Sequence, residues 1–238
     1  MTAAARLELV ALDAADIESL ASFYTELAGG EVVRQVPDWI TVRLVSGQEI
    51  AFQRAPDHVA PQWPGQEHPQ QFHLDLLVDG HEAAAQRAVE LGASRLADGP
   101  SWITLADPAG HPFDLCQRDG IGPAMELFAV TIDAPEAAAL AHFYADLLQL
   151  EVTYEGPEGA LVSGGPTSLM VQQVSGYNPP RWPDPTRPQQ AHLDILVKDL
   201  DAGEARALSL GATRLDGGGA TFRVFADPAG HPFCLTVG

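Results

Sequence analysis

The chain has 238 residues, with 32 acidic against 13 basic side chains and a formal net charge of −19. A surface this acidic repels a phosphate backbone and an anionic membrane, so neither nucleic acid nor membrane is expected as a partner. The start carries no basic and apolar leader, no apolar run nears the roughly 20 residues that span a bilayer, and two cysteines make no disulfide framework, so a cytoplasmic, reduced protein is expected.

In chain order, the apolar stretch Leu7 to Leu12 predicts a strand. After it, Ile17, Leu20, Phe23, Tyr24 and Leu27 recur at helical spacing up to Gly29-Gly30, a helix with a glycine stop. Trp39 to Leu44 alternates polar and apolar residues, and Glu49 to Arg54 reads as a second half-buried strand. Ala60-Pro-Gln-Trp-Pro64 is too rich in proline for a sheet interior and predicts a connecting loop. His73 to Val78 then predicts a strand and Glu82 to Leu91 a helix ended by Gly92. Trp102 to Leu105 and Phe113 to Cys116 are strands joined by a turn on Asp107-Pro-Ala-Gly110.

The whole series then recurs. Asp107-Pro-Ala-Gly-His-Pro-Phe113 returns as Asp227-Pro-Ala-Gly-His-Pro-Phe233, Phe23-Tyr24 as Phe143-Tyr144, and His73-Leu-Asp75 as His192-Leu-Asp194. A period of that length marks duplicated domains rather than a solenoid of short units. The expected domains are 1–118 and 124–238, each holding two similar modules, so the chain contains four.

Phe-Tyr on the first helix, His-Leu-Asp opening the second module and Asp-Pro-Ala-Gly-His-Pro-Phe before the last strand resemble the vicinal oxygen chelate superfamily. That group contains glyoxalases, bleomycin-resistance proteins and extradiol dioxygenases, and the likeness extends over nearly the whole chain, closest to its tandem glyoxalase-like members. The resemblance implies a mixed α/β (α+β) fold in which each domain pairs two βαβββ modules into a cup-shaped curved sheet. It also implies four metal-bearing positions per cup, which fall at Leu9 and Ala129, Gln53 and Gln172, His73 and His192, and Asp114 and Cys234. Leucine and alanine cannot ligate and an amide oxygen is a poor donor. In the first domain His73 and Asp114 are two ligands with Gln53 a weak third; in the second, His192 and Cys234 have only Gln172. No cofactor and no tight metal site are therefore expected, a weak divalent metal at His73 and Asp114 being the alternative.

His73 and Asp75 stand two apart on a strand and share a face, as do His192 and Asp194, so each pair can act on one ligand or serve only to fix a buried imidazole. Trp39, Thr41 and Arg43 share the strand face opposite Ile40, Val42 and Leu44, which puts an aromatic ring and a cation inside the first cup. Matching Leu44-Val-Ser-Gly47 to Leu161-Val-Ser-Gly164 makes their counterparts Gly156, Glu158 and Ala160, so the two cups should differ. Arg43 suits an anionic or carbonyl-bearing ligand or a rim carboxylate. Trp63 and Trp182, in the Pro-rich loops, fit an aromatic lid over the cup mouth or a packed anchor. His111, His231, Asp107 and Asp227 are expected to hold their own turns, and the Phe-Tyr pairs to pack in the core.

Two function classes follow. The first is a metal-independent binder of a small organic molecule, of the bleomycin-resistance kind, using Trp39, Arg43, Gln53, His73, Asp75, Asp114, Gln172, His192 and Asp194. The second is a divalent-metal-dependent lyase, isomerase or dioxygenase using His73 and Asp114. One domain serving only as a structural copy of the other is a third reading. Monomer and homodimer are both open.

Overall fold

Four modules of one strand, one helix and three strands follow one another in the computed structural model, which describes residues 5–181, 184 and 186–238. The first runs β1 (Ala5–Ala14), α1 (Ile17–Ala28), β2 (Gly30–Val36), β3 (Trp39–Leu44) and β4 (Glu49–Arg54). The second runs β5 (Phe72–Val78), α2 (His81–Glu90), β6 (Ser94–Asp98), β7 (Trp102–Ala106) and β8 (Pro112–Gln117). The third is β9 (Glu126–Ala134), α3 (Ala137–Leu148), β10 (Glu151–Gly156), β11 (Gly159–Ser163) and β12 (Ser168–Gln173). The fourth is β13 (Ala191–Val197), α4 (Leu200–Ser209), β14 (Thr213–Gly218), β15 (Phe222–Ala226) and β16 (Pro232–Thr236). No helix among the described residues is long and apolar enough to cross a membrane.

The strands β2, β6, β10 and β14 escape the residue pattern, and their position explains it. Each is a sheet edge, and their side chains are mostly exposed, so no apolar alternation is imposed on them. The predicted helix at 17–28 holds in detail. Asp16 accepts the Ser19 N–H at 2.9 Å as its cap, five predicted stripe residues are buried, and Gly29 leaves the helix at φ +70°.

The modules do not pair as their order in the chain implies. One eight-stranded sheet runs β14-β15-β16-β13-β1-β4-β3-β2 and joins the first module to the fourth; the other runs β10-β11-β12-β9-β5-β8-β7-β6 and joins the third to the second. The antiparallel seams are β1 with β13, where Ala11 faces His192, and β5 with β9, where His73 faces Thr131. This corrects the expectation that each cup is made by the two modules of one repeat. We call the sheet of the first and fourth modules cup A and the other cup B.

Loop lengths fit this crossing. The short segment 118–125 links β8 to β9 within one sheet, while the long Pro-rich segments 55–71 and 174–190 pass between sheets. There they bind each other: Gln190 Nε2 donates to the Val59 carbonyl, Asn178 Nδ2 to that of Gln66, and Gln71 Nε2 to that of Pro188.

One continuous core lies between the backs of the sheets. Helix α1 packs on β3 and β4 of cup A, yet Phe23 meets Phe113 of cup B edge-on at 5.9 Å, and Phe143 meets Phe233 in the mirrored arrangement at 6.0 Å. Tyr24 Oη donates to Asp107 Oδ2 at 3.0 Å and Tyr144 Oη to Asp227 Oδ2 at 2.8 Å, both fully buried. Each aspartate also takes two backbone N–H groups of its own turn and the Nδ1 of His111 or His231. The repeated Phe-Tyr and Asp-Pro-Ala-Gly-His-Pro-Phe motifs are thus ties between the two sheets.

Candidate functional site

Cup A encloses a cavity of about 890 Å³. Its floor comes from four strands of two distant modules: Leu9 on β1, Gln53 on β4, His192 and Asp194 on β13, and Cys234 on β16. Alternation places these side chains on the concave face, since Val10, Leu12, Leu193, Ile195, Phe233 and Leu235 between them are buried in the core. Trp39 and Phe222 line it from β3 and β15, on opposite sides of the floor. Trp39 is held by its Nε1 donating to Thr41 Oγ1 at 2.9 Å, and its ring lies 6.0 Å from that of His192.

His192 is secured from both sides. Its Nε2 is 3.5 Å from Asp194 Oδ1 and its Nδ1 is 3.4 Å from Gln189 Nε2, which donates to Asp13 Oδ2 at 2.8 Å. Burial opposes charge on this imidazole, but its contacts with Asp194 and Cys234 outweigh that and hold its pKa well above the ordinary histidine value. Asp13 also receives Gln53 Nε2 at 3.3 Å, and burial pushes its carboxyl up in spite of nearby His192.

Asp13 is absent from the expected site, as are Gln189 and the cup B equivalents Asp133 and Gln70, where Gln70 Nε2 donates to both Asp133 oxygens. A signal was present: both repeats place Asp-Ala at a strand end and a Pro-Gln-Gln run whose first glutamine stands three residues before the histidine.

The floor of cup B repeats this plan with different chemistry. His73 and Asp75 on β5 and Asp114 on β8 bring their ligand atoms within 4.8 Å of one another, as do His192, Asp194 and Cys234 in cup A. His73 Nε2 is 3.8 Å from Asp75 Oδ1 and 3.9 Å from Asp114 Oδ2. Thr131 Oγ1, from β9, makes a short hydrogen bond to Asp75 Oδ2, and burial pushes the Asp75 carboxyl up. Cys116 Sγ lies 3.9 Å from Asp75 Oδ1, and burial raises its thiol above the usual range.

Several expectations are corrected by the crossing. Gln53 is not a third partner for His73 and Asp114; it belongs to the cup of His192 and Cys234. Gln172 lies on β12 of the other sheet and is exposed. Register places Trp39 opposite Gln53 and Gly159 opposite Gln172, so the counterparts of Trp39, Thr41 and Arg43 are Gly159, Leu161 and Ser163 rather than Gly156, Glu158 and Ala160. A Cβ at Gly159 would come within 2.2 Å of the Val171 carbonyl, so this wall of cup B has no room for any side chain.

Arg43 sits at the rim of cup A and is committed to Glu49, with Nε and Nη2 at 2.9 and 2.8 Å from Oε1. Trp63 is half-buried in the loop that meets segment 174–190 and does not line cavity A, so it reads as an anchor; Trp182 lies outside the described residues.

The metal-bearing positions that the resemblance implies, tested in the observed pairing, are Leu9, Gln53, His192 and Cys234 in cup A and Ala129, Gln172, His73 and Asp114 in cup B. Neither set fits the ion. Each has an aliphatic side chain at one position and an amide at another, and Gln53 is engaged by Asp13.

The chain matches the family model of the glyoxalase-like domain twice, over residues 9–116 and 129–236. No curated protein matches it significantly. Among solved structures it is similar to glyoxalase I from Zea mays, at 15% identity over 99% of this chain and 93% of that one, with a TM-score of 0.70. It is also similar to a putative dioxygenase from Bacillus subtilis, at 12% identity over 97% of this chain and 84% of that one, with a TM-score of 0.65. At such identities the likeness concerns the fold.

Proposed function

We propose that this chain, which belongs to the glyoxalase-like domain family of the vicinal oxygen chelate superfamily, takes a small organic molecule into cup A without needing a metal ion. The observation that carries the reading is the cavity of about 890 Å³ whose floor replaces a metal donor by Leu9 and whose walls are Trp39 and Phe222. That volume lies within the range of small-molecule sites, and the lining is mixed, with Leu9, Trp39 and Phe222 set among charged and polar side chains such as Arg34, Glu49 and Asp194. A flat or apolar body can lie against either ring, while the floor favours a polar head. His192 Nε2 donates, Asp194 accepts, and the Gln53 amide carbonyl accepts because its nitrogen is turned to Asp13. Such a ligand is amphipathic, with acceptor and donor atoms at one end.

The alternative is turnover of a carbonyl or catechol compound, and its support is the His192 and Asp194 pair on the cavity floor, a donor and acceptor suited to proton transfer. One experiment separates the two. A library of small aromatic acids, amides and phenols is screened by thermal shift, and hits are titrated by tryptophan fluorescence in wild type, Trp39→Ala and Trp102→Ala. The expected outcome is saturable binding weakened at least tenfold, about 1.4 kcal/mol, by Trp39→Ala and unchanged by Trp102→Ala, with the hit recovered intact. Binding indifferent to Trp39→Ala, or conversion of the hit to product, overturns the reading.

A further inference from the structure

The charged side chains around cup A are answered with one exception. Of the three arginines that line it, Arg43 is committed to Glu49, and Arg54 to Glu18 with Asp38 at 3.9 Å. The lining carboxylates have partners too: Asp194 faces His192 Nε2 at 3.5 Å, and Glu8 accepts from Thr236 Oγ1 with Arg6 at 3.9 Å. Arg34, on the edge strand β2, is left over, with no carboxylate beside it among the described residues. The uncompensated side-chain charge of this cavity is therefore positive, in a chain whose net charge of −19 otherwise repels anions.

Strand register shows what Arg34 shares the cup with. Arg34 pairs with Thr41, Thr41 with Ala51, Ala51 with Ala11 and Ala11 with His192, so one transverse row runs from the sheet edge to the floor histidine. Its ends are four strand spacings of about 4.8 Å apart along the sheet. Between them Ala11 and Ala51 are fully buried and pack against Trp39, whose Nε1 donates to Thr41 Oγ1 and whose ring lies 6.0 Å from that of His192. One indole thus covers the interval between the cation at the rim and the pair His192 and Asp194 on the floor. In cup B the same row reads Tyr154, Leu161, Met170, Thr131 and His73. A tyrosine bonded to Glu158 replaces the arginine, and larger side chains stand where the two alanines leave room for the indole. Cation and aromatic platform occur together in cup A and are both missing from these positions of cup B.

We propose that cup A selects an elongated organic acid whose ring lies on Trp39, whose polar head meets His192 and Asp194, and whose carboxylate is held by Arg34 at the rim. This names the ligand class of the site proposed above and rests on that reading. A guanidinium gives a carboxylate two parallel charged N–H donors, an advantage that a neutral amide does not share. Arg43 is not the anion's partner, because Glu49 already takes its Nε and Nη2.

The test is isothermal titration of the full chain with para-hydroxyphenylbutanoate and with its neutral primary amide, in wild type, Arg34→Gln, Trp39→Ala and Arg118→Gln. Arg118 is exposed and follows β8 of the other sheet, so its loss changes the net charge equally without touching cup A. The expected result is an acid bound at least tenfold tighter than the amide by wild type and by Arg118→Gln. Arg34→Gln should abolish that preference and leave amide binding within twofold, since its side chain is exposed and supports no core contact. Circular dichroism checks that each variant folds. Equal binding of acid and amide by wild type, a preference that survives Arg34→Gln, or no binding of either probe overturns the proposal. If acid and amide bind equally and Trp39→Ala weakens both tenfold, only the anionic end is wrong and the organic-ligand site stands; if Trp39→Ala changes neither, that site falls as well.

Discussion

Cup A and cup B descend from one module plan and keep the same floor histidine, the aspartate two residues on and a glutamine, yet they differ at several positions around these. Trp39 in one is Gly159 in the other, Thr41 is Leu161, and Cys234 stands where the other has Asp114. His192 is gripped by Gln189 and Asp194, whereas His73 Nδ1 has no hydrogen-bond partner among the described residues. Behind the floors almost nothing differs: the two Tyr–Asp bonds and the two Phe–Phe contacts repeat within a few tenths of an ångström. Duplication has left the ties between sheets alone and spent its variation on the concave faces, where a side chain changes binding without costing core packing.

The largest effect that would break this picture concerns the crossing itself. A protease site inserted at Gly120, in the exposed turn between β8 and β9, should give a nicked protein whose halves stay together on native gel filtration. Each sheet contains a module from either half, and the seams β1 with β13 and β5 with β9 hold them. Halves that separate under native conditions would refute the crossed pairing.

Next in size are the ties. Tyr24→Phe and Tyr144→Phe each remove a buried hydrogen bond to an aspartate, and each should cost about 1.5–3 kcal/mol in urea unfolding. The comparison is sharpened if the two losses agree; a large loss on one side alone would show that the halves are not held alike.

The smallest effect is a slope. Burial raises the Asp13 carboxyl above its value in the unfolded chain, so the folded state holds its proton to higher pH. The stability contributed is fully present below the unfolded value of 3.8 and is lost as pH rises through the folded one. Relative to Asp13→Asn, wild type should therefore lose stability as pH is raised from about 4 toward neutral. Parallel pH curves for the two proteins would mean that Gln53, Gln189 and His192 fully offset the burial.

Much of this molecule was legible in its residues. The period that pairs Asp107 with Asp227 revealed the duplication, helical and alternating spacings located all four helices and twelve of the sixteen strands, and the strand faces carrying Trp39, Thr41, His73 and Asp75 point as expected. These are local consequences of a side-chain period of 2 or 3.6, and any short window contains them. The four edge strands were hidden because an edge with exposed side chains has no face to bury.

Which modules share a sheet was decided only by the tertiary structure. The first strand of each module is apolar on its core face, and strands are joined by backbone N–H and C=O groups that every residue carries alike, so β1 suits β5 or β13 equally well. The choice falls to distant parts: the long loops that pass between sheets and the buried Tyr24–Asp107 and Tyr144–Asp227 ties. With that choice, Gln53 joins His192 and not His73, and the chemistry of each cup follows. Sequence alone determined the modules and the faces of their strands; the packing of four similar modules against one another determined which faces meet.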